Sequence, residues 1–295
     1  MVASGLNVPP LPSTGTIVAR YELGELVGRG GMSRVWSARD SSTGEVVALK
    51  LLHGGEDIAP SVRERFLREA RASRSIEHPA IVPVREVFEH DGDPVLVMEL
   101  LDGETLRERL DRDRRLPLGD AARLLLPVAE ALCAAHRAGI AHRDLKPENV
   151  FLQAPAAGTA TLSRVRLLDF GVARFYDPPP QSGLFPITGF DALLGTLCYM
   201  APEQATRPGE SDQRVDVWAF GVVLYEVLAG CRPIEGQTLP EVYRQLLTGG
   251  IVPLEVLDPT LSDDVVELTR RFLVRNRDAR ASGLELAVET LGRYA

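Results

Sequence analysis

The stretch His142-Arg143-Asp144-Leu145-Lys146-Pro147-Glu148-Asn149 constrains the chain more than any other. It sets an acid, two cations and a carboxamide close together, and its proline stops a helix from running through them. Backbone ahead of a proline avoids helical angles, so the stretch reads as a loop that gathers polar groups. Further on, Asp169-Phe170-Gly171 follows directly on the apolar run 165–168, which reads as a short buried strand. An acid to take a hydroxyl proton, a lysine for a phosphate oxygen, and an amide plus a second acid for a hard cation form one kit. Phosphoryl transfer uses such a kit, because it depends on positioning and charge neutralisation more than on covalent chemistry. Any one of these residues alone is commonly a solvated loop charge. The spaced set carries the reading.

A length of 295 residues, 45% hydrophobic and 25% charged, suits one large domain or two lobes. A net charge of −8 argues against a nucleic-acid-binding surface. Arg112, Arg114 and Arg115 alternate with Asp and read as a solvated helix end. Cys133, Cys198 and Cys231 have neither metal-type spacing nor an even framework, which suits structural thiols in a reducing cytosol. The histidines form no ligand pair, so no zinc site is expected. No apolar run reaches the roughly 18 residues of a membrane span, and the N-terminus lacks the pattern of a signal peptide.

Along the chain, residues 1–19 are expected to be a flexible lead-in. A strand at 21–27 runs into Gly28-Arg29-Gly30-Gly31-Met32-Ser33-Arg34-Val35, where Ser33 takes the third glycine position of G-x-G-x-x-G. A dinucleotide-binding turn would lead into a helix. Here a second strand at 35–39, a turn at 41–44 and a third strand at 46–50 follow instead. The glycines therefore join antiparallel strands and leave backbone N–H groups for phosphates. The third strand ends on Lys50.

Residues 59–76 predict a helix with Val62, Phe66, Ala70 and Ser73 inward. At 100° per residue, Glu69 falls about 20° from Val62 on that face, where a carboxylate needs a cation; Lys50 is the expected partner and Glu64 the alternative. Strands at 81–90 and 94–100 flank Asp91-Gly92, a hairpin signal. From Thr105 the chain turns helical. A buried central helix is expected over 121–139, with Pro127 bending it or marking its first turn. Residues 153–161 read as a surface insertion, the proline- and glycine-rich 174–194 as a mobile segment, and 216–229 as an apolar helix.

His-Arg-Asp-Leu-Lys-Pro-Glu-Asn followed by Asp-Phe-Gly resembles the catalytic core of protein kinases, in particular the eukaryotic-like (Hanks-type) serine/threonine kinases of bacteria. The resemblance implies an α+β, two-lobed fold. An N-lobe over 20–100 holds a small antiparallel sheet with one helix, and a mainly helical C-lobe covers 101–295, the kinase domain itself spanning about 21–285. It implies that ATP and Mg²⁺, with Mn²⁺ as an alternative, bind between the lobes. Asp144 then orients and deprotonates a Ser/Thr hydroxyl, Lys146 steadies the transferring phosphoryl group, and Asn149 and Asp169 hold the metal. Lys50 holds the α- and β-phosphates and Glu69 fixes Lys50.

The same resemblance assigns residues 27–33 to the loop over the phosphates. It puts Val27, Val35, Ala48 and Phe151 around adenine, Met98 at the back of its pocket and Glu99 to Leu101 at the hinge. Thr188, then Ser182, are the expected activation-loop phosphosites, with Arg143 as the receiving cation. Thr196 belongs to a platform for Ser/Thr acceptors, Asp216 braces the catalytic loop, and Glu203 pairs with buried Arg280. The expected partners are protein substrates and, for phosphorylation between copies, the chain itself, with no nucleic acid. The expected location is cytoplasmic, free or as part of a longer membrane-anchored protein. The alternatives are a pseudokinase scaffold, which usually lacks the lysine or one of the two acids, and a small-molecule phosphotransferase. The segment Ala201-Pro202-Glu203 and Arg280 weigh against the latter.

Overall fold

The computed structural model describes residues 12–29, 33–52, 67, 70, 74, 76–154, 164–169, 190–207 and 211–295. The chain divides into two compact units, Met1–Arg74 with Pro83–Leu101, and Ser75–Val82 with Asp102–Ala295.

The first unit is an antiparallel sheet of β1 (Ile17–Val18), β2 (Tyr21–Arg29), β3 (Ser33–Asp40), β4 (Val46–Leu52), β5 (Val84–His90) and β6 (Asp93–Glu99), in the order β1-β2-β3-β4-β6-β5. The hairpin β5–β6 turns at Asp91 and Gly92, both at positive φ (50° and 83°), as a two-residue turn matched to strand twist requires. β5 begins at Val84, three residues later than expected. Pro83 has no N–H to offer a ladder, and Ile81 instead forms a parallel bridge with Leu167. One sheet face carries the unit's core, with Tyr21, Leu23, Trp36, Leu49, Leu51, Val95 and Val97 buried together. Tyr21 also stacks on Phe88 of β5, ring centroids 6.0 Å apart, and donates to Glu86 at 2.8 Å, so the sheet curls until distant strands meet. Leu67 and Ala70 are helical and buried, on the segment expected to be a helix.

The second unit holds a three-stranded sheet, β7 (Gly103–Thr105), β8 (Val150–Gln153) and β9 (Arg164–Leu167), among helices. Helix α1 (Leu106–Asp113) starts on a reciprocal cap: Thr105 accepts from the Glu108 N–H while Glu108 accepts from the Thr105 N–H. Helix α2 (Leu118–Arg137) begins three residues before the expected start, so Pro127 lies well inside it. A proline there frees the carbonyl of Arg123, an exposed residue whose backbone can meet water.

After α3 (Phe190–Leu197) and the short α4 (Pro202–Thr206) comes α5 (Arg214–Ala229), buried at every position from Val215 to Leu228. A helix apolar all round belongs in the middle of a core, and α5 is the post around which the unit packs. Gly230, at φ 74°, ends it in the left-handed conformation that glycine adopts without strain. Helices α6 (Leu239–Thr248), α7 (Leu254–Leu257), α8 (Asp263–Phe272) and α9 (Glu285–Leu291) complete the unit.

Candidate active site

In the first unit, strand register decides which side chains share a face, because directly opposed residues of an antiparallel ladder point the same way. Val35, Lys50 and Leu96 form one row across β3, β4 and β6, and Ser37, Ala48 and Met98 the next. The alternate row of Trp36, Leu49 and Val97 faces the core. Gly28 opposes Val35. Five residues named from sequence, Gly28, Val35, Ala48, Lys50 and Met98, thus occupy the face turned away from the core. Lys50 is only 6% exposed, unusual for a lysine, while Val27 stays 51% exposed. Arg29 pairs with Arg34, Ser33 opens β3 opposite Leu52, and Glu99 closes β6 opposite Val47. Leu101 follows β6, half-buried. Gly30, Gly31, Met32 and Glu69 lie outside the described residues.

The second unit gathers the polar kit of the loop. Lys146 Nζ lies 3.0 Å from Asp144 Oδ2 and donates to Thr196 Oγ1 at 3.1 Å. Asn149 Nδ2 donates to the Asp144 carbonyl at 2.7 Å and to Asp144 Oδ2 at 3.1 Å. Lys146 is extended (φ −161°, ψ 164°), as the residue before a proline should be. Pro147 then opens a single 3₁₀ turn, Pro147–Asn149, where sequence suggested plain loop. A proline fits a first turn because its missing N–H has no helical partner there.

Leu168 N donates to the Asn149 carbonyl at 2.9 Å, so Asp169 and Asn149 are each next to, or part of, one backbone hydrogen bond. Asp169 sits at φ 57° and Arg143 at φ 66°. Non-glycine residues held in this region cost about 1–3 kcal/mol each and cluster at functional sites. Phe151, on β8, opposes Thr105 and Arg166 and is half-buried.

What holds the loop in shape is Asp216, fully buried in the first turn of α5. Its Oδ2 accepts from His142 N and its Oδ1 from Arg143 N, both at 2.7 Å. His136, in the last turn of α2, places Nε2 2.7 Å from Asp216 Oδ2. A carboxylate oxygen can only accept, so His136 donates. His142 is buried and its tautomer is set from both sides. Asp144 N donates to Nδ1 at 3.3 Å, which leaves Nε2 to donate to the Leu168 carbonyl at 2.8 Å.

The segment after Thr196 is rooted by Glu203, whose oxygens meet Arg280 Nη1 at 2.6 Å and Nη2 at 2.9 Å. Tyr199 donates to buried Glu226 at 2.5 Å, and Arg107 Nη1 pairs with the other Glu226 oxygen at 2.8 Å. Burial, and then the Glu226 charge, push the Tyr199 phenol well above its ordinary value, so it remains a neutral donor.

Thus Asp144, Lys146, Asn149 and Thr196 come together, with Arg143 and Asp216 bonded behind them. Thr188 and Ser182 lie outside the described residues. Sequence reasoning missed His136, Gln204, Glu226 and Arg107. Each acts across a long stretch of chain, and only the placement of His136 at a helix end just ahead of the loop offered a local signal.

The profile of the protein kinase domain matches residues 21–291. Among curated relatives, the serine/threonine-protein kinase pkn2 of Myxococcus xanthus is 38% identical over 279 residues, 94% of this chain and 32% of that protein. The probable serine/threonine-protein kinase PknB of Corynebacterium glutamicum is 40% identical over 229 residues, 76% of this chain and 34% of that protein. The chain therefore spans about a third of the length of the curated relatives it matches. Among solved structures, the kinase domain of Mycobacterium tuberculosis PknI is similar with a TM-score of 0.73 at 24% identity, covering 97% of this chain and 99% of that one. That similarity concerns the two-lobed fold.

Proposed function

The chain belongs to the protein kinase domain family, and on that premise we propose that it transfers the γ-phosphoryl group of ATP to serine or threonine hydroxyls of proteins. The observation that carries the reading is the contact set of Asp144, which binds Lys146 and Asn149 while Lys146 reaches Thr196. Asp144 accepts the proton of the attacking hydroxyl. Lys146, tethered between base and platform, stabilises charge on the group in flight. Lys50 takes the α- and β-phosphates, with Glu69 as its partner, while Val35, Ala48 and Met98 on the same sheet face line the adenine pocket. Asp216 and Glu203–Arg280 keep loop and platform in shape.

The donor set suits a hard divalent cation. Both acceptors around Asn149 Nδ2 are oxygens of Asp144, so Asn149 Oδ1 is the amide atom that would meet a cation, and Asp169 would supply a carboxylate. Among the described residues no three His, Cys, Asp or Glu side chains form a metal cage. Mg²⁺, held by few protein groups and by substrate phosphates, needs none, and Mn²⁺ is the alternative ion. When bound, the cation neutralises phosphate charge. Phosphorylation of Thr188 or Ser182, between copies of the chain, would add charge-assisted bonds to Arg143 and order the segment. Use of ATP places the domain in the cytoplasm, free or as the cytoplasmic part of a longer anchored protein; among the described residues no helix is long and apolar enough to cross a membrane.

Incubation with radiolabelled ATP and a generic basic protein tests the reading. Label should appear on Ser or Thr of the protein and on the chain itself, and Asp144→Asn should abolish it. Equal labelling by both proteins would reject Asp144 as the base.

A further inference from the structure

We infer that Gln204 is a positioning residue for Asp144, tying the acceptor platform to the backbone of the base. This deepens the kinase reading and rests on it. Gln204 is 4% exposed. Its Oε1 accepts from Ala201 N at 2.8 Å, and its Nε2 donates to the Arg143 carbonyl at 3.2 Å. One partner can only donate and the other can only accept, so the amide fits in one orientation alone.

The carbonyl it holds belongs to the peptide unit that joins Arg143 to Asp144. The N–H of that same unit, on Asp144, donates to His142 Nδ1. A peptide unit is planar and turns as one piece. Holding it at its oxygen and its N–H therefore sets the N–Cα bond from which the Asp144 side chain is carried, leaving its φ as the remaining freedom. On the other side of Arg143, its N–H is bonded to Asp216. Asp216 and Gln204 thus restrain both flanks of a residue at φ 66°, a conformation that persists only where its surroundings over-determine it. Lys146 to Thr196 is a second tie between the same two segments, and Glu203, next to Gln204, anchors the platform end through Arg280.

Two substitutions separate positioning from bulk. Gln204→Met keeps the length and loses both polar ends. Gln204→Glu keeps the acceptor for Ala201 but turns an oxygen towards the Arg143 oxygen, which is tolerable only when the carboxyl is protonated and can donate. Turnover on a protein acceptor, thermal unfolding and amide hydrogen exchange are measured on the whole chain. Both variants should fold, keep the KM for ATP and lose kcat on the order of 10–100-fold. The Glu variant should regain turnover as pH falls from about 8 to about 6, its buried carboxyl titrating high, and the Met variant should not. Exchange at the Asp144 amide should quicken in the Met variant. A folded Met variant with wild-type kcat, or with unchanged Asp144 exchange, would overturn the inference. A wild-type chain that transfers no phosphate would reject the kinase reading instead, and the exchange comparison would still decide whether Gln204 restrains the loop.

Discussion

Arg280 meets both oxygens of Glu203, at 2.6 and 2.9 Å, across 77 positions of sequence. Its side chain is wholly buried, and its remaining N–H groups donate to the carbonyls of Val274, Arg214 and Arg275. It also lies over the Trp218 ring, 5.1 Å from the centroid. A buried charge with every donor engaged cannot be replaced piecemeal. Arg280→Met leaves Glu203 without its counter-charge and should destabilise the second unit by about 3–5 kcal/mol. Denaturant unfolding measures the loss, and a change below about 1 kcal/mol would contradict the pair's structural role.

Asp144→Asn preserves size and keeps one oxygen acceptor while removing the proposed base. Its kcat should fall on the order of 10²–10⁴-fold or more with the unfolding midpoint nearly unchanged. Steady-state kinetics beside a melting curve check both halves.

The donor set around Asn149 and Asp169 predicts a strict need for a divalent ion. Removing the ion with a chelator should stop turnover, and Mg²⁺ or Mn²⁺ should restore it. If Asn149 is a ligand, Asn149→Ala should raise the Mg²⁺ concentration for half-maximal rate by roughly 10-fold, equivalent to about 1.4 kcal/mol. A titration of rate against free Mg²⁺ reads it directly.

In the first unit Arg20, which donates to Asp40 at 2.9 Å and to Glu86 at 2.6 Å, anchors a cluster that sets a pH window for stability. The Ser42 hydroxyl first, then Arg20, lower the Asp40 carboxyl from 3.8 to about 2. Burial first, then the bond to Glu86, raise the Tyr21 phenol from 10.0 to about 12. A depressed acid gives stability that is present above its unfolded pKa and is lost as pH falls through the folded one. A raised phenol gives stability that is present below its unfolded pKa and is lost as pH rises through the folded one. The unit should therefore lose stability between 3.8 and about 2 and again between 10.0 and about 12. Tyr21→Phe should flatten the alkaline limb and, because the Tyr21 hydroxyl also helps Arg20 to hold the Glu86 carboxyl low, weaken the acid limb to a lesser degree.

Gly221 of α5 faces the end of α8 with no room for a side chain. A methyl added there would lie 2.8 Å from Phe272 Cβ and 3.1 Å from Leu273 Cδ2. Gly221→Ala should cost about 1–3 kcal/mol by overpacking, seen as a lowered melting temperature.

The features legible in sequence are those with a local cause. Asp91-Gly92 reads as a hairpin because few other pairs accept two positive φ angles in succession. Pro147 stops a helix from running through from the preceding residues, so the polar loop around it is legible too. Thr196 and the Glu203–Arg280 pair are different: only resemblance to kinases pointed to them, since nothing nearby in sequence requires a contact across 50 or 77 positions. Gln204 escaped for the same reason, because its partner carbonyl lies 61 positions away. The departure at Ile81 has another origin. Its strand-like pattern is real, but Pro83 interrupts the ladder and Leu167 competes for the residue.

Asp216 binds the backbone of the loop that carries the proposed base, and it sits in a helix buried at every position from Val215 to Leu228. The chemistry is thereby wired to the deepest part of the unit, leaving little room for the loop to soften while its surroundings stay intact. Warming should leave specific activity per intact molecule level until the whole unit gives way, so that inactivation and melting trace one curve.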